Sequence, residues 1–104
     1  MQKQILEHQR VRRVPPHFSW VDHRLVRHHY IEQADAPSWA LYLVLVTVGD
    51  EHGLSFYSDK SLCRMLTVSI QVLTTAREQL LRAGVIAYRS PMYQVLDLAE
   101  ADRP

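Results

Sequence analysis

After the first twenty residues, the hydrophobic residues alternate between helical spacing and short continuous runs. A helix is predicted over Asp22–Gln33, because Asp22 suits an N-cap and the apolar residues recur at helical spacing: Leu25, Val26, Tyr30 and Ile31. Trp39 to Val48 is almost wholly apolar. Its valines would also suit a buried strand, but its length and Pro37 in a first helical turn favour a helix from Ser38.

A turn, a strand and a third helix are predicted next. Either Gly49 or Gly53 supplies the positive φ that the turn needs, and Leu54–Tyr57 forms a short strand. Ser58 or Asp59 then caps a helix whose inward-facing residues are expected to be Leu62, Met65 and Leu66.

The clearest helical pattern lies at Ile70–Ala83. Ser69 is its expected N-cap, Gly84 is expected to end it, and the buried stripe consists of Leu73, Ala76 and Leu80. Two strands, Val85–Arg89 and Tyr93–Leu98, follow and are joined at Ser90 and Pro91. This order of helices and strands predicts an α+β fold.

One segment carries a recognisable motif. Leu66-Thr67-Val68-Ser69, followed by the buried stripe and Gly84, resembles the helix-turn-helix half of many bacterial regulators and replication proteins. The stretches HFSWVDHRLVRHHYIE, ALYLVLVTVGDEHGLSFYSD and AREQLLRAGVIAYRSPMYQVL resemble small helix-turn-helix proteins encoded beside bacterial transposases, and the winged helices of plasmid and phage replication initiators. The resemblance implies a winged helix-turn-helix with an extra N-terminal helix, whose usual partner is double-stranded DNA.

The chain divides into three parts. Its 104 residues fit one domain. The prolines at 15 and 16 separate a basic N-terminal arm, residues 1–17, from a domain over residues 18–98, and residues 99–104 form a polar tail. The first fourteen residues suit either a helix or a disordered segment. Phe18 and Trp20 are expected to pack on the core.

Charge is distributed unevenly, although the formal net charge is only +1. Residues 1–29 hold six Lys or Arg against two acidic residues, a local balance of +4. The remaining chain holds six basic and nine acidic residues, a balance of −3. A basic arm for a polyanion and a merely solvated basic segment explain this split equally well.

The resemblance implies that the helix after Ser69 lies in the major groove. Its outward residues would be Ile70, Gln71, Thr74, Thr75 and Glu78. Gln71 would read adenine, and the two threonines would touch base methyls or phosphate. Because Ile70 and Thr74 stand where such regulators often carry cations, this helix alone is expected to bind weakly. Further contacts with DNA are expected from Ser69, Lys60, Arg64, Arg82, Arg89, Arg10, Arg12 and Arg13.

Two groups of arginines are expected to play different roles. Arg10, Arg12 and Arg13 would enter a minor groove and contribute as much affinity as the helix does. Arg77 is expected to form a structural ion pair with Asp59 or Glu78.

The remaining reactive residues indicate no enzyme, metal site or cofactor. Cys63 is the only cysteine, which suits a reducing cytoplasm. His23, His28 and His29 lack the spacing of zinc ligands on a helix, and no nucleophile–base pair is visible. The longest apolar run is too short to cross a bilayer and the N-terminus lacks a signal core, so no membrane partner is expected.

A second interpretation keeps the fold and changes the partner. Ile70 and Val72 near the outward side of the helix, together with the few cations there, suit contact with another protein or a homodimer. Trp39 and Tyr42 are expected to be core or dimer contacts. No small-molecule ligand is indicated by the sequence.

Overall fold

The computed structural model describes residues 2–98, which form an α+β domain. Its helices are α1 (Arg24–Arg27), α2 (Ala36–Val48), α3 (Asp59–Leu66) and α4 (Ile70–Ala83), and its strands are β1 (Leu54–Phe56), β2 (Ile86–Arg89) and β3 (Met92–Val95). Short 3-10 helices lie at His8–Arg10 and Tyr30–Gln33. The α+β class is confirmed, and the predicted tail at 99–104 lies outside the described residues.

The core forms where α2 packs against α4. Leu41 and Leu45 of α2 and Leu73 and Leu80 of α4 are completely buried. Ala76 is 2% exposed, and its small side chain suits a close approach between helices. The prediction that the apolar run is helical is confirmed, and α2 begins at Ala36 with Pro37 in its first turn.

Three antiparallel strands close the other side of the core in the order β1–β3–β2. Tyr93 of β3 lies opposite Ser55 of β1 and Tyr88 of β2, and it is 1% exposed. The turn before β1 uses Gly53, whose φ is 79°, whereas Gly49 has ordinary negative φ. All three strands are shorter than predicted, and β3 stops at Val95.

The helix ends follow local rules. Ser58 accepts a hydrogen bond from the Ser61 N–H and caps α3, and Ser69 accepts one from the Val72 N–H and caps α4. Gly84 ends α4 with a φ of 76°, in the left-handed region that favours glycine. Thr67, in the turn between α3 and α4, also has positive φ, at 57°. The predicted caps Ser58, Ser69 and Gly84 are therefore confirmed, whereas the prediction of Asp22 as an N-cap is wrong, because α1 begins after His23.

The predicted helix over Asp22–Gln33 is wrong as one continuous element. Residue His29 has a φ of 65°, which ends α1 and separates it from the 3-10 helix. Leu25 is buried, but Val26 and Ile31 are 61% and 43% exposed. A helix this short gains stability mainly from burying an apolar face, and only part of this face finds a surface to cover it.

Three residues expected inside the domain are exposed. Phe18 and Trp20 are 67% and 75% exposed, because the chain after the prolines runs past the end of α2, where Ser19 Oγ donates to the Thr47 carbonyl at 3.5 Å. Met65 is 47% exposed. It lies about 100° around α3 from the centre of the inward stripe formed by Leu62, Cys63 and Leu66.

Candidate nucleic-acid interface

One side of α4 is open along its length. Leu73, Ala76 and Leu80 face the core, and the opposite side carries four exposed residues: Gln71, Thr75, Glu78 and Arg82. With about 100° between successive residues, these four fall within an arc of about 60°. We call them the α4 stripe. Their amide, hydroxyl, carboxylate and guanidinium groups are all able to form hydrogen bonds with base edges, and the hydroxyl and guanidinium also with phosphate.

Other predicted contacts lie at the margins of the α4 stripe. Ile70 is 46% exposed. Thr74 is half-buried, and its Oγ1 donates to the Ile70 carbonyl at 2.8 Å, so its hydroxyl proton is used within the helix. Ser69 is exposed at the start of α4, where its Oγ already accepts the Val72 N–H at 3.2 Å.

A polar network ties α4 to the start of α2. The Oγ atom of Ser38 is completely buried, within 2.8 Å of Asp35 Oδ1 and 3.1 Å of Gln79 Oε1. Gln79 also accepts the Asp35 N–H at 2.7 Å and donates to its carboxylate at 3.1 Å. These bonds, with those from Ser38 the strongest, lower the pKa of Asp35 below its ordinary value. The network holds α4 in a fixed orientation on α2.

Arg77 ties α4 to α3 and to the sheet. Its Nη1 donates to Asp59 Oδ1 and to the Tyr93 hydroxyl, each at 2.8 Å, and its Cζ lies 4.5 Å from the centre of the Tyr88 ring. Burial lowers the pKa of Arg77, but the bonds to Asp59 and Tyr93 outweigh burial and raise that pKa above its ordinary value. The predicted pair with Asp59 is confirmed, so this cation is occupied within the domain.

The sequence pointed to Asp59 as a partner of Arg77 but not to Tyr88, Tyr93 or Gln79. Ser38 and Gln79 are 41 residues apart, and Arg77 and Tyr93 are 16 apart. Contacts of this kind depend on how the elements pack, and local spacing carries no signal for them.

Three other predicted contact residues of the domain, all cations, lie on exposed surface. Lys60 and Arg64 are one helical turn apart on α3, so they share a face of that helix. Arg89 is exposed at the end of β2, next to the Ser90-Pro91 turn of the β2–β3 hairpin. Each of the three side chains is therefore free to meet a phosphate from the solvent side.

The basic arm is exposed throughout its described part. Every residue from 2 to 21 is exposed, including Arg10 at the end of the 3-10 helix and Arg12 and Arg13 in the extended chain that follows. An extended cationic segment of this kind is able to follow a phosphate backbone. The arm thus offers three arginines, whereas the α4 stripe offers one arginine beside Glu78.

Other reactive residues have structural surroundings. Cys63 is half-buried against the core. Asp50 accepts the N–H groups of His52 and Leu54 in the turn before β1, and these bonds, that to Leu54 first, lower its pKa. Within residues 2–98, no group of three or more His, Cys, Asp or Glu is arranged to hold a metal. No helix in this part of the chain combines the length and apolarity needed to cross a bilayer.

Comparisons with family models, with curated proteins and with solved structures found no match for this chain.

Proposed function

We propose that this chain is a winged helix-turn-helix domain that binds double-stranded DNA without catalysing a reaction, as a transcriptional regulator or as an accessory factor of a mobile element or replicon. In this proposal α4 enters the major groove, the β2–β3 hairpin is the wing, and the arm follows the phosphate backbone. The observation that carries it is the exposed α4 stripe on a helix that directly follows α3 and a tight turn.

The arrangement of elements supports this proposal. A strand precedes α3 and pairs with β3, and the hairpin that follows α4 completes the same sheet. The helix α4 has 14 residues and is therefore about 21 Å long, enough to lie in a major groove. The Ser38–Gln79 and Arg77–Asp59 contacts fix its orientation, so its outer side is presented as a rigid surface.

The side chains of the α4 stripe suit recognition of base pairs better than strong electrostatic attraction to the phosphates of DNA. Gln71 and Thr75 are uncharged hydrogen-bonding residues, and Glu78 opposes the charge of Arg82. Neutralisation of phosphates by Lys and Arg dominates affinity for DNA. In the proposed complex, most affinity therefore comes from Arg10, Arg12 and Arg13 of the arm, with Lys60, Arg64 and Arg89 as further phosphate contacts.

The direct test is a fluorescence anisotropy titration of the full chain into a mixed-sequence duplex, at low and at moderate salt. Binding that weakens steeply as salt rises supports the proposal, because each neutralised phosphate steepens the salt dependence. Absence of binding at low salt contradicts it.

A matched pair of variants separates base reading from non-specific attraction. After selection of a preferred sequence from random duplexes, Gln71→Ala should reduce preference at one or two base pairs, by roughly 5- to 150-fold, since a bidentate base contact contributes about 1–3 kcal/mol. Gln33→Ala changes an exposed glutamine outside the α4 stripe and should leave the preference intact. Equal behaviour of the two variants would exclude Gln71 as a base contact.

A second candidate function is binding of another protein through α4. Ile70 and Leu81 are 46% and 39% exposed on one flank of the α4 stripe, and Val72 is 38% exposed on the other. Such apolar residues suit a protein interface. A dimer on a sizing column that dissociates in Ile70→Ser, together with no affinity for DNA, would favour this alternative.

A further inference from the structure

An open groove lies on a part of the domain that does not include α4. Its walls are the segment from Phe18 to Asp22, the C-terminal end of α2, the turn before β1 and the chain that leaves β3. Its volume is about 650 Å³, within the range of roughly 300–1,000 Å³ that is typical of small-molecule sites. A site here is therefore separate from the α4 stripe.

Aromatic rings form much of the apolar part of this groove. Phe18 and Trp20 are more than half exposed, and the same groove is lined by Tyr42, Leu45 and Val46 of α2, of which only Val46 is partly exposed. Isolated exposed apolar residues need no explanation, but exposed aromatic side chains that line the same concave surface are typical of ligand-binding sites. The faces of such rings attract cations.

The charged residues of the groove have one sign. Four carboxylates line it, those of Asp22, Asp50, Glu51 and Asp97, and no Lys or Arg is among its lining residues in the described chain. His52 also lines the groove, and its Nδ1 lies 3.9 Å from Glu51 Oε1. Arg24, just outside, binds Asp22 at 2.6 Å and lies 3.7 Å from Asp97, so it offsets only part of this negative charge.

We propose that this groove binds an organic cation that carries an aromatic or apolar body. The ammonium group would lie against the faces of Phe18 and Trp20, with the exposed carboxylate of Glu51 in the same groove, and the apolar body would cover Val46. Charge complementarity favours a cation over an anion, since an anion would meet several carboxylates and no lining Lys or Arg. DNA is excluded from this surface for the same reason.

The groove also adjoins the arm along the chain. Phe18 directly follows the arm and is five residues from Arg13. A ligand that holds Phe18 and Trp20 in place would thereby restrict the position of the C-terminal end of the arm, where it joins the domain. This consequence would appear as a change in DNA affinity, whereas ligand binding itself does not depend on whether the chain binds DNA.

The test uses the full chain and three probes of similar size: benzyltrimethylammonium, phenylacetate and benzyl alcohol. Amide and indole NMR shifts are followed during titration of each. The cation should give saturable shifts at Trp20 and at residues 50–53, with at least fivefold tighter binding than the neutral or anionic probe. No saturable shift at about 10 mM cation, or equal affinity for all three probes, would overturn the proposal.

Two phenylalanines provide a matched pair of variants. Phe18 and Phe56 are each 67% exposed, but only Phe18 lines the groove. Phe18→Ala should weaken binding of the cation about two- to fivefold, while Phe56→Ala leaves it unchanged. Glu51→Gln should weaken it about twofold, and more at low salt. Thermal unfolding of each variant checks that the fold is kept, and equal affinities of the two phenylalanine variants would contradict the assigned site.

Discussion

At the scale of single residues, Arg77 shows how a cation on the candidate DNA-binding helix is kept from a DNA partner. Its side chain is 11% exposed and lies between Asp59, Tyr93 and the Tyr88 ring. A guanidinium in such a position contributes through hydrogen bonds to charged and buried groups rather than through exposed charge. Substitution should therefore change the stability of the fold.

The first prediction compares two arginines of α4. Arg77→Met should lower the free energy of unfolding by about 2–3 kcal/mol, because it removes a charged hydrogen bond and leaves the buried Tyr93 hydroxyl without its donor. Arg82→Met changes an exposed arginine of the same helix and should stay within about 0.5 kcal/mol. Urea unfolding measures both, and equal losses would show that the Arg77 contacts add nothing.

The second prediction concerns the contribution of Asp22 to the stability of the fold at acidic pH. Hydrogen bonds from the Arg24 side chain, and then from its backbone N–H, lower the pKa of Asp22 from 3.8 to about 2. Because the folded-state pKa is lower than the unfolded one, the ionised carboxylate favours folding above pH 3.8, and this contribution is lost as pH falls towards about 2.

The measurement is urea unfolding of the native chain and of Asp22→Asn between pH 6 and pH 2. The native chain should be the more stable at pH 6, and the difference should shrink below about pH 4 and vanish near pH 2. Glu7→Gln, in the exposed arm, serves as the control. A difference that does not vary with pH would mean that Asp22 gains nothing from ionisation.

At the scale of elements, two turns each place one residue at positive φ, and this conformation is favourable for one of the two residues and unfavourable for the other. Gly84 ends α4 at 76°, and a Cβ there would meet nothing within 4 Å, so only backbone conformation favours glycine. Thr67 has a φ of 57° between α3 and α4, a conformation that is unfavourable for a β-branched residue.

The third prediction is that substitutions at these two turns change the free energy of unfolding in opposite directions. Gly84→Ala should cost about 1 kcal/mol, while Thr67→Asn should stabilise by a few tenths to about 1 kcal/mol, since asparagine tolerates this region better. Thermal or urea unfolding measures both changes. If Gly84→Ala were neutral, the left-handed end of α4 would not be needed for the entry of the chain into β2.

Helices whose ends are marked by capping residues were predictable from the sequence. Elements that depend on packing against distant segments of the chain were not. Ser58, Ser69 and Gly84 mark helix ends through bonds within a few residues, so α3 and α4 follow from the sequence. The expected helix over Asp22–Gln33 has the right spacing but finds cover for only part of its apolar face. The groove beside Phe18 unites segments more than seventy residues apart, which no local pattern reveals.

For the candidate site, the sequence predicted which residues of α4 face outward but not what holds the helix in place. Gln71, Thr75 and Glu78 are exposed as expected, because they lie opposite the buried stripe. The network around Gln79 joins α4 to α2 across 41 residues, and it depends on packing between the two helices.

At the scale of the whole molecule, opposite charges occupy different surfaces. The exposed arm carries Arg10, Arg12 and Arg13, whereas the groove beside it carries carboxylates from Asp22, Glu51 and two other residues. A polyanion would be attracted by the first surface and repelled by the second. The proposed DNA contacts and the proposed cation site are therefore compatible within one small domain.

The fourth prediction addresses the central proposal that DNA is bound largely through the arm. Because the arm is exposed and separate from the core, replacing Arg10, Arg12 and Arg13 together by alanine should leave the unfolding midpoint unchanged. Arg27→Ala removes an exposed cation of α1, outside the proposed DNA contacts, and is the control for DNA binding.

The most direct measurement is the slope of log affinity for duplex DNA against log salt, for the native chain, the triple variant and Arg27→Ala. Each phosphate contact contributes about 0.9 to this slope, so the triple variant should lose about 3 while Arg27→Ala retains the native slope. Strong DNA binding with the same slope in all three proteins would contradict the role of the arm. Absence of binding by the native chain at low salt would contradict the DNA-binding function itself.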